Sequence, residues 1–289
     1  MRREKLINWI LFILLAFIWG SSFILMKLGK EHLNGIQIGA LRILSAGAVF
    51  LPFGIFHIFK LPPRKIPIIF LSGLLGNLLP AFLFATAIEK IDSSLEGILN
   101  SLTPLFVIIV GALFFKAKLA RQKLIGVMIG FVGLCFLSLS SGFSAQNYGY
   151  ASMILLATLF YGINVNIVNY YLKDLDPFKT ATVSLSLVAI PALIVVLYQN
   201  VFTIAMQDEA ARRSIGATVL LGIGGSAIAT ALFYILIKRS GPLFASLVTY
   251  AIPIVALFWG VLDNEPLTVV KMGCLAMILG GVYLVNKSA

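Results

Sequence analysis

Residues 76–88 read Gly76-Asn-Leu-Leu-Pro-Ala-Phe-Leu-Phe-Ala-Thr-Ala-Ile88, and residues 225–237 read Gly225-Ser-Ala-Ile-Ala-Thr-Ala-Leu-Phe-Tyr-Ile-Leu-Ile237. They begin a gapless match, shifted by 149 positions, that aligns residues 76–113 with residues 225–262 and contains seven identities in 38 positions. Identity alone is weak in so apolar a chain, but the match also pairs Pro104 with Pro253, where helices bend. The second half of the chain is therefore interpreted as a repeat of the first.

The composition is that of an integral membrane protein. Of the 289 residues, 60% are hydrophobic and only 11% are charged, and the mean hydropathy is +1.02. Apolar stretches of about 20 residues, the length that crosses a bilayer as a helix, recur along the chain without the alternation of barrel strands. The sequence predicts an all-α membrane protein with ten transmembrane helices, at residues 6–29, 36–59, 66–88, 93–115, 122–141, 149–171, 178–203, 213–237, 242–262 and 267–286.

The net charge of +11 is distributed as membrane topology requires. With a cytoplasmic N-terminus, fifteen of the 22 Lys and Arg residues fall on the cytoplasmic side, six fall on the far side, and Arg42 lies inside a span. This asymmetry obeys the positive-inside rule and predicts that both termini are cytoplasmic, in a multi-pass protein of the cell membrane. The basic charge therefore does not indicate a nucleic-acid partner.

Two halves of five spans each, residues 1–145 and 146–289, predict an inverted repeat. An odd number of spans makes the second half enter the membrane in the opposite orientation, which places a pseudo-two-fold axis in the membrane plane. Two such halves can rock around a central site and expose it to each face in turn, as secondary transporters do. The alternative is an old gene duplication that was kept only for stable packing.

Several short motifs resemble the EamA-like family of the drug/metabolite transporter superfamily. They are Phe17-Ile-Trp-Gly-Ser-Ser-Phe-Ile-Leu-Met-Lys27 in span one, Ala40-Leu-Arg42 in span two, Gly97-Ile-Leu-Asn-Ser-Leu-Thr-Pro104 in span four, and Gly126, Gly130 and Gly133 in span five. The resemblance covers essentially the whole chain. It implies two five-helix bundles around a central cavity and the efflux or exchange of small metabolites such as amino acids.

Two charged residues inside the predicted spans are candidates for function. Arg42 and Glu96 lie at similar depth below the outer face, and either charge alone is costly in lipid. We expect them to face the protein interior and to pair directly or through water, as an outer gate or a site for a substrate carboxylate. A helix-to-helix clamp, or an Arg42 side chain that extends to the interface, is the structural alternative. Glu96 could also carry a coupled proton, whereas a facilitator needs no such group.

Polar and aromatic residues at helical spacing predict the rest of the cavity wall. Asn100 in span four and Thr249 and Tyr250 in span nine lie on polar faces next to Pro104 and Pro253, which we expect to kink those helices. The further candidate substrate-binding residues are Trp19, Ser22, Asn77, Tyr161, Asn164, Thr230 and Tyr234. Each could instead fill the core or hydrogen-bond between helices.

No pattern in the sequence predicts a catalytic residue, a cofactor or a metal site. An enzyme acting on lipid-linked substrates needs a convergent nucleophile, base and acid, and a channel needs charged rings or a filter sequence. Neither pattern is visible, so we expect a secondary transporter that is not an enzyme and that binds a small-molecule substrate within the lipid bilayer. A monomer is favoured over a homodimer, because the Gly126 and Gly130 spacing is more commonly used for packing within one chain.

Overall fold

The computed structural model describes residues 2–90, 93–117, 120–139, 148–204, 206, 209–262 and 269–287. Nearly all of this part is helical, and no strand occurs in it. The helices are α1 (Arg2–Gly29), α2 (Gly35–Ile58), α3 (Ile66–Gly73), α4 (Leu79–Ala87), α5 (Ser93–Asn100), α6 (Thr103–Phe115), α7 (Arg121–Leu139), α8 (Tyr148–Tyr171), α9 (Pro177–Tyr198), α10 (Val201–Ile204), α11 (Glu209–Leu221), α12 (Ala229–Ser240), α13 (Pro242–Ser246), α14 (Val248–Leu262) and α15 (Val269–Lys287).

Six helical stretches are long and apolar enough to cross a membrane. They are Glu4–Gly29, Gly35–Ile58, Pro63–Ala87, Tyr148–Tyr171, Pro177–Tyr198 and Glu209–Ser240. Shorter apolar helices occupy Thr103–Phe115, Pro242–Val255 and Met272–Val285. The chain is therefore an all-helical, multi-pass membrane protein. The count of ten spans stays a prediction, and its boundary between halves at residues 145 and 146 lies outside the described residues.

Local sequence explains where two of the long helices begin. Asn34 caps α2 through a reciprocal pair of hydrogen bonds with Gln37, in which each side chain accepts from the other residue's backbone N–H at 2.9 Å. Asp176 caps α9 by accepting a hydrogen bond from the backbone N–H of Lys179, and Pro177 follows as the first helical residue. Side-chain oxygens at these positions satisfy N–H groups that have no partner within the helix.

The predicted spans 93–115 and 242–262, which contain Pro104 and Pro253, are each divided into two helices. Residues 93–115 form α5 and α6, which are separated by a turn at residues 101–102 just before Pro104. Residues 242–262 form α13 and α14, but this interruption falls at Leu247, while Pro253 lies inside α14. Pro253 has no N–H for the carbonyl of Thr249, and the hydroxyl of Ser101, which donates mainly to the carbonyl of Gly97 at 2.7 Å, lies 3.4 Å from that carbonyl.

Two π-helical segments occupy corresponding places in the two halves. Leu74–Leu78 joins α3 to α4, and Gly222–Ile228 joins α11 to α12. The first segment, shifted by the 149 positions that separate Gly76 from Gly225, falls within the second. A π-helical turn inserts an extra residue, widens the helix and is commonly found at functional sites.

Glycines let helices from different halves approach closely. A Cβ on Gly47 of α2 would lie 2.2 Å from the Cβ of Ala189 in α9. A Cβ on Gly126 of α7 would lie 2.8 Å from the carbonyl oxygen of Gly281 in α15. The expectation that Gly126 packs within the chain is confirmed, and the α2–α9 and α7–α15 pairs make the most extensive helix–helix contacts in the described residues.

Candidate functional site

A cavity of about 930 Å³, counted to its opening, lies between α1, α2, α5, α8, α14 and the two π-helical stretches. Its wall combines polar side chains with aromatic ones. Ten of the twelve residues predicted to surround a substrate line it, namely Trp19, Ser22, Arg42, Asn77, Asn100, Tyr161, Asn164, Thr230, Tyr234 and Thr249. Residues that are far apart in sequence therefore meet around one space.

Tyr250 does not line this cavity. Its side chain is fully buried against α7, where its hydroxyl donates a hydrogen bond to the carbonyl oxygen of Val127 at 2.9 Å. Gly130 makes room for the ring, since a Cβ there would lie 2.4 Å from Cε2 of Tyr250. The cavity role predicted for Tyr250 is therefore wrong, because this part of the helix turns its tyrosine toward α7.

Glu96 also lies outside the cavity wall. Its side chain is fully buried, and neither carboxyl oxygen has a hydrogen-bond partner among the described residues. The direct pairing expected between Arg42 and Glu96 is not formed, although the two groups are close enough to interact electrostatically. Arg42 instead donates its Nε–H to the hydroxyl of Ser226 at 2.7 Å.

Close contact between α2 and the second π-helical segment places Arg42 beside Ser226 at the cavity wall. A Cβ on Gly222 would lie 2.3 Å from the carbonyl oxygen of Arg42, so α2 touches the second π-helical segment here. Ser226 lies one helical turn further along that segment. The contact holds a half-buried guanidinium at the cavity wall, with Ser226 as the acceptor that orients it.

Two aromatic pairs line the cavity. The ring of Trp19 packs edge to face on Phe233, with ring centroids 5.2 Å apart. Tyr161 stacks on Phe84, with ring centroids 5.9 Å apart and planes inclined by 27°. Trp19 also donates its Nε1–H to the carbonyl oxygen of Gly225 at 3.0 Å. These rings give the cavity an apolar surface on which a flat or aliphatic group can pack.

A buried polar cluster closes one part of the cavity. The Ser72 hydroxyl donates to Oδ1 of Asn164 at 2.6 Å and lies 2.7 Å from the hydroxyl of Tyr234. Tyr234 lines both this cavity and a second one, bounded by Asn169, Lys173 and Lys238 among others. The tyrosine side chain therefore separates the two spaces, and the cluster holds it there.

A second polar contact joins the first π-helical segment to α12 of the other half. The Thr230 hydroxyl donates to Oδ1 of Asn77 at 2.8 Å, while the Asn77 amide nitrogen has no hydrogen-bond partner among the described residues. That amide is a buried donor at the cavity wall. Leaving such a buried donor without a partner costs about 1–3 kcal/mol.

Sequence reasoning missed several wall residues. Phe84 and Phe233 were already paired by the internal repeat, and that correspondence was the signal for a shared role. Ser72, which is not itself in the wall but contacts Asn164 and Tyr234, carries no such signal, because a single serine in an apolar helix is common. The remaining wall residues that no helical pattern had indicated are Phe23, Gly76, Val165, Gly225 and Ile252.

Comparisons with known proteins agree with this architecture. A transporter of Archaeoglobus fulgidus described as uncharacterized is 26% identical over 281 residues, which cover 97% of this chain and 99% of the relative. A probable amino-acid metabolite efflux pump of Salmonella typhimurium is 25% identical, over 94% of this chain and 92% of the relative. A solved crystal structure superposes with a TM-score of 0.74 at 18% identity, covering 100% of this chain and 98% of the other, and so shares the fold.

The match to a family model extends over nearly the whole chain and occurs twice. The model of the EamA-like transporter family matches residues 7–139 and again residues 149–287. Each match covers one of the halves that the internal repeat distinguishes. The chain belongs to the EamA-like transporter family.

Proposed function

We propose that the chain is a secondary transporter that moves small metabolites such as amino acids across the cell membrane by alternating access. Two inverted five-helix repeats, residues 1–145 and 146–289, form the two moving parts in this proposal. The cavity between them holds the substrate. The observation that carries the proposal is that residues related by the 149-position shift, among them Phe84 and Phe233, line one cavity.

Equivalent contacts support the repeat. Phe84 corresponds to Phe233 by the shift of 149 positions, and each packs on an aromatic residue of the other half, Tyr161 or Trp19. Both of those aromatic residues precede a glycine. Such reciprocity is what a pseudo-two-fold axis through the cavity would produce.

The glycines that follow Trp19 and Tyr161 repeat the pattern. A Cβ on Gly20 would lie 2.6 Å from Val255, and a Cβ on Gly162 would lie 2.7 Å from Phe106. Phe106 and Val255 also differ by 149 positions. Phenylalanine and valine differ in chemistry, yet they make equivalent contacts in the two halves. A backbone geometry common to both halves explains this better than chance similarity in sequence.

The membrane arrangement follows from the same repeat. Ten spans divided into two groups of five give the halves opposite orientations, and the charge asymmetry then places both termini in the cytoplasm. The helices at the predicted segments are consistent with ten crossings, including two segments built from shorter pieces. Interrupted helices are tolerated at membrane depth where they are buried in protein or line a cavity.

Small amphipathic metabolites fit the cavity best. Its wall offers one guanidinium, several hydroxyl and amide groups, and two aromatic pairs. The relative named as a probable amino-acid metabolite efflux pump supports amino acids as cargo and export as the direction. A channel or a lipid-modifying enzyme is the competing class.

Counterflow in proteoliposomes tests this function. Vesicles that contain the purified protein are loaded with an unlabelled amino acid mixture, and trace labelled amino acids are added outside. A carrier gives a transient accumulation of label above equilibrium, and its initial rate saturates with substrate. Equilibration without overshoot would indicate a channel, and chemical conversion of the substrate would indicate an enzyme.

A further inference from the structure

Arg42 uses only part of its hydrogen-bonding capacity. Its Nε–H is donated to Ser226, but neither terminal nitrogen, Nη1 nor Nη2, donates a hydrogen bond to any described residue. A guanidinium carries five N–H groups in a planar fork that matches the two oxygens of a carboxylate. The terminal side of this fork is therefore a donor pair without a protein acceptor.

The nearby carboxyl group does not occupy this fork. Glu96 interacts with Arg42 only through space, since both of its oxygens lack hydrogen bonds and its side chain is outside the cavity wall. The third ionisable group near this pair is the phenol of Tyr161, which is stacked on Phe84. No described acidic residue lines the cavity. The described wall therefore supplies no carboxylate to the terminal nitrogens of Arg42, and the carboxylate of a bound molecule would fill that place.

Charge and shape limit what that molecule can be. Arg42 is the only cationic residue among those that line the described cavity, so a ligand with one negative charge is matched and one with two is not. The two aromatic pairs and Met26 offer an apolar surface in the same space. A monocarboxylate with an apolar body satisfies both features.

We propose that Arg42 binds the carboxylate of the transported substrate through its terminal nitrogens, and that the substrate is a small monocarboxylate whose apolar body packs on the rings of Trp19 and Tyr161. This inference rests on the transport function proposed above and specifies its substrate class. Ser226 is a positioning residue, because its hydroxyl accepts the hydrogen bond from Nε and so fixes one edge of the guanidinium.

Matched ligand pairs test the carboxylate directly. The chain with Trp9→Phe and Trp259→Phe keeps Trp19 as its single indole, and its fluorescence reports binding in detergent. Each carboxylate is compared with its amide: L-phenylalanine with L-phenylalaninamide, L-leucine with L-leucinamide, and 3-phenylpropionate with 3-phenylpropanamide. Neither compound of the last pair has an ammonium group, so the amide is neutral and the two differ only in the negative charge of the carboxylate. At least one carboxylate should bind about 10-fold or more tightly than its amide, since hydrogen bonds to charged groups are the strong ones.

Substitutions test whether Arg42 causes this preference for the carboxylate over the amide. In Arg42→Gln the ratio of carboxylate to amide affinity should fall towards one, and in Arg42→Lys it should be intermediate, because charge is kept but the planar fork is lost. Ser226→Ala should reduce the ratio less than Arg42→Gln does. The exposed Arg213, which pairs with Glu209, gives a control: Arg213→Gln should keep the full preference.

The outcomes separate this inference from the transport function. Equal binding of every carboxylate and its amide, no binding by any carboxylate, or an unchanged preference in Arg42→Gln would each overturn the carboxylate site. Counterflow of a neutral or cationic solute in the same preparation would leave the carrier in place. If Arg42→Gln does not fold, Arg42→Lys and Ser226→Ala still decide, because an unaltered preference in both contradicts the assignment.

Discussion

The indole Nε1–H of Trp19 donates a hydrogen bond to the backbone carbonyl oxygen of Gly225 at 3.0 Å. It joins the first helix of the chain to the π-helical segment Gly222–Ile228 of the other half. A side-chain donor thus reaches a backbone acceptor at the point where the regular hydrogen-bond pattern of the helix changes. The contact couples the two halves directly at the cavity wall.

Replacing Trp19 by Phe tests this coupling. The ring contact with Phe233 is kept in part, while the donor to Gly225 is lost, so we expect the free energy of unfolding to fall by about 1–2 kcal/mol. Thermal unfolding of the purified protein in detergent measures the change. Trp9→Phe, at a tryptophan that packs on Phe12 and Phe244 away from the cavity, is the control for loss of an indole. Equal effects of the two substitutions would argue against a special role for the bond.

Gly222 is expected to tolerate no side chain. A Cβ there would lie 2.3 Å from the carbonyl oxygen of Arg42, and a backbone atom cannot rotate away. We expect Gly222→Ala to destabilise the protein by about 1–3 kcal/mol, as overpacking typically does, and to weaken carboxylate binding by displacing Arg42. The neighbouring Gly224→Ala is a matched control, since no atom lies within 4 Å of its added Cβ. Similar thermal stability of the two variants would contradict this packing.

The cluster of Ser72, Asn164 and Tyr234 is expected to act as a unit. Ser72→Ala and Tyr234→Phe each remove one hydroxyl from a buried contact of 2.7 Å. Each substitution alone should lower the free energy of unfolding by about 1 kcal/mol. The same substitution should cost less when the other is already present, because the contact has then already been lost. A double-mutant cycle on unfolding measures this coupling. Strict additivity would show that the two hydroxyls do not interact.

Glu96 is expected to matter less for binding than Arg42. Since the carboxyl group has no hydrogen-bond partner in the described chain and does not line the cavity, Glu96→Gln removes no specific contact. We expect normal expression, unchanged or higher thermal stability, and a shift in carboxylate affinity smaller than that caused by Arg42→Gln. The same fluorescence titration measures both variants. A loss of binding in Glu96→Gln equal to that in Arg42→Gln would show that the pair acts as one site.

Hydropathy predicts the helices well. In lipid every backbone N–H and C=O group needs a hydrogen-bond partner within the protein, and a helix supplies these partners within one segment. Residues 178–203 show its limit: a single span was predicted, whereas α9 ends at Tyr198 and the short α10 begins at Val201. The interruption at Leu247 was also not predicted, although Pro253 indicated one nearby. A proline lacks one donor wherever it lies, but neighbouring side chains decide whether the helix must break. Here the hydroxyl of Ser101, in the turn after α5, lies 3.4 Å from the carbonyl of Thr249.

The cavity wall was predictable where helical spacing and depth agreed, as for Trp19 and Ser22 on α1. Tyr250 shows what spacing cannot supply. One turn of α14 carries both Thr249, at the cavity, and Tyr250, whose ring fits against Gly130 of α7. Which polar residue faces inward depends on the neighbouring helix, and that information lies more than a hundred positions away in the chain. The same reason explains why Ser226, rather than Glu96, was found beside Arg42.

Thiol labelling of Thr230→Cys from each face of the membrane tests alternating access most directly. For this experiment both native cysteines are replaced, by Cys135→Ala and Cys274→Ala. A thiol reagent that cannot cross the membrane is then applied to right-side-out and to inverted vesicles. Thr158, which is fully buried and away from the cavity, gives the control Thr158→Cys, which should stay unreactive. We predict that Thr230→Cys reacts from both faces and that a bound substrate changes the two rates in opposite directions. Reaction from one face alone in every condition, or from neither, would contradict a carrier built around this cavity.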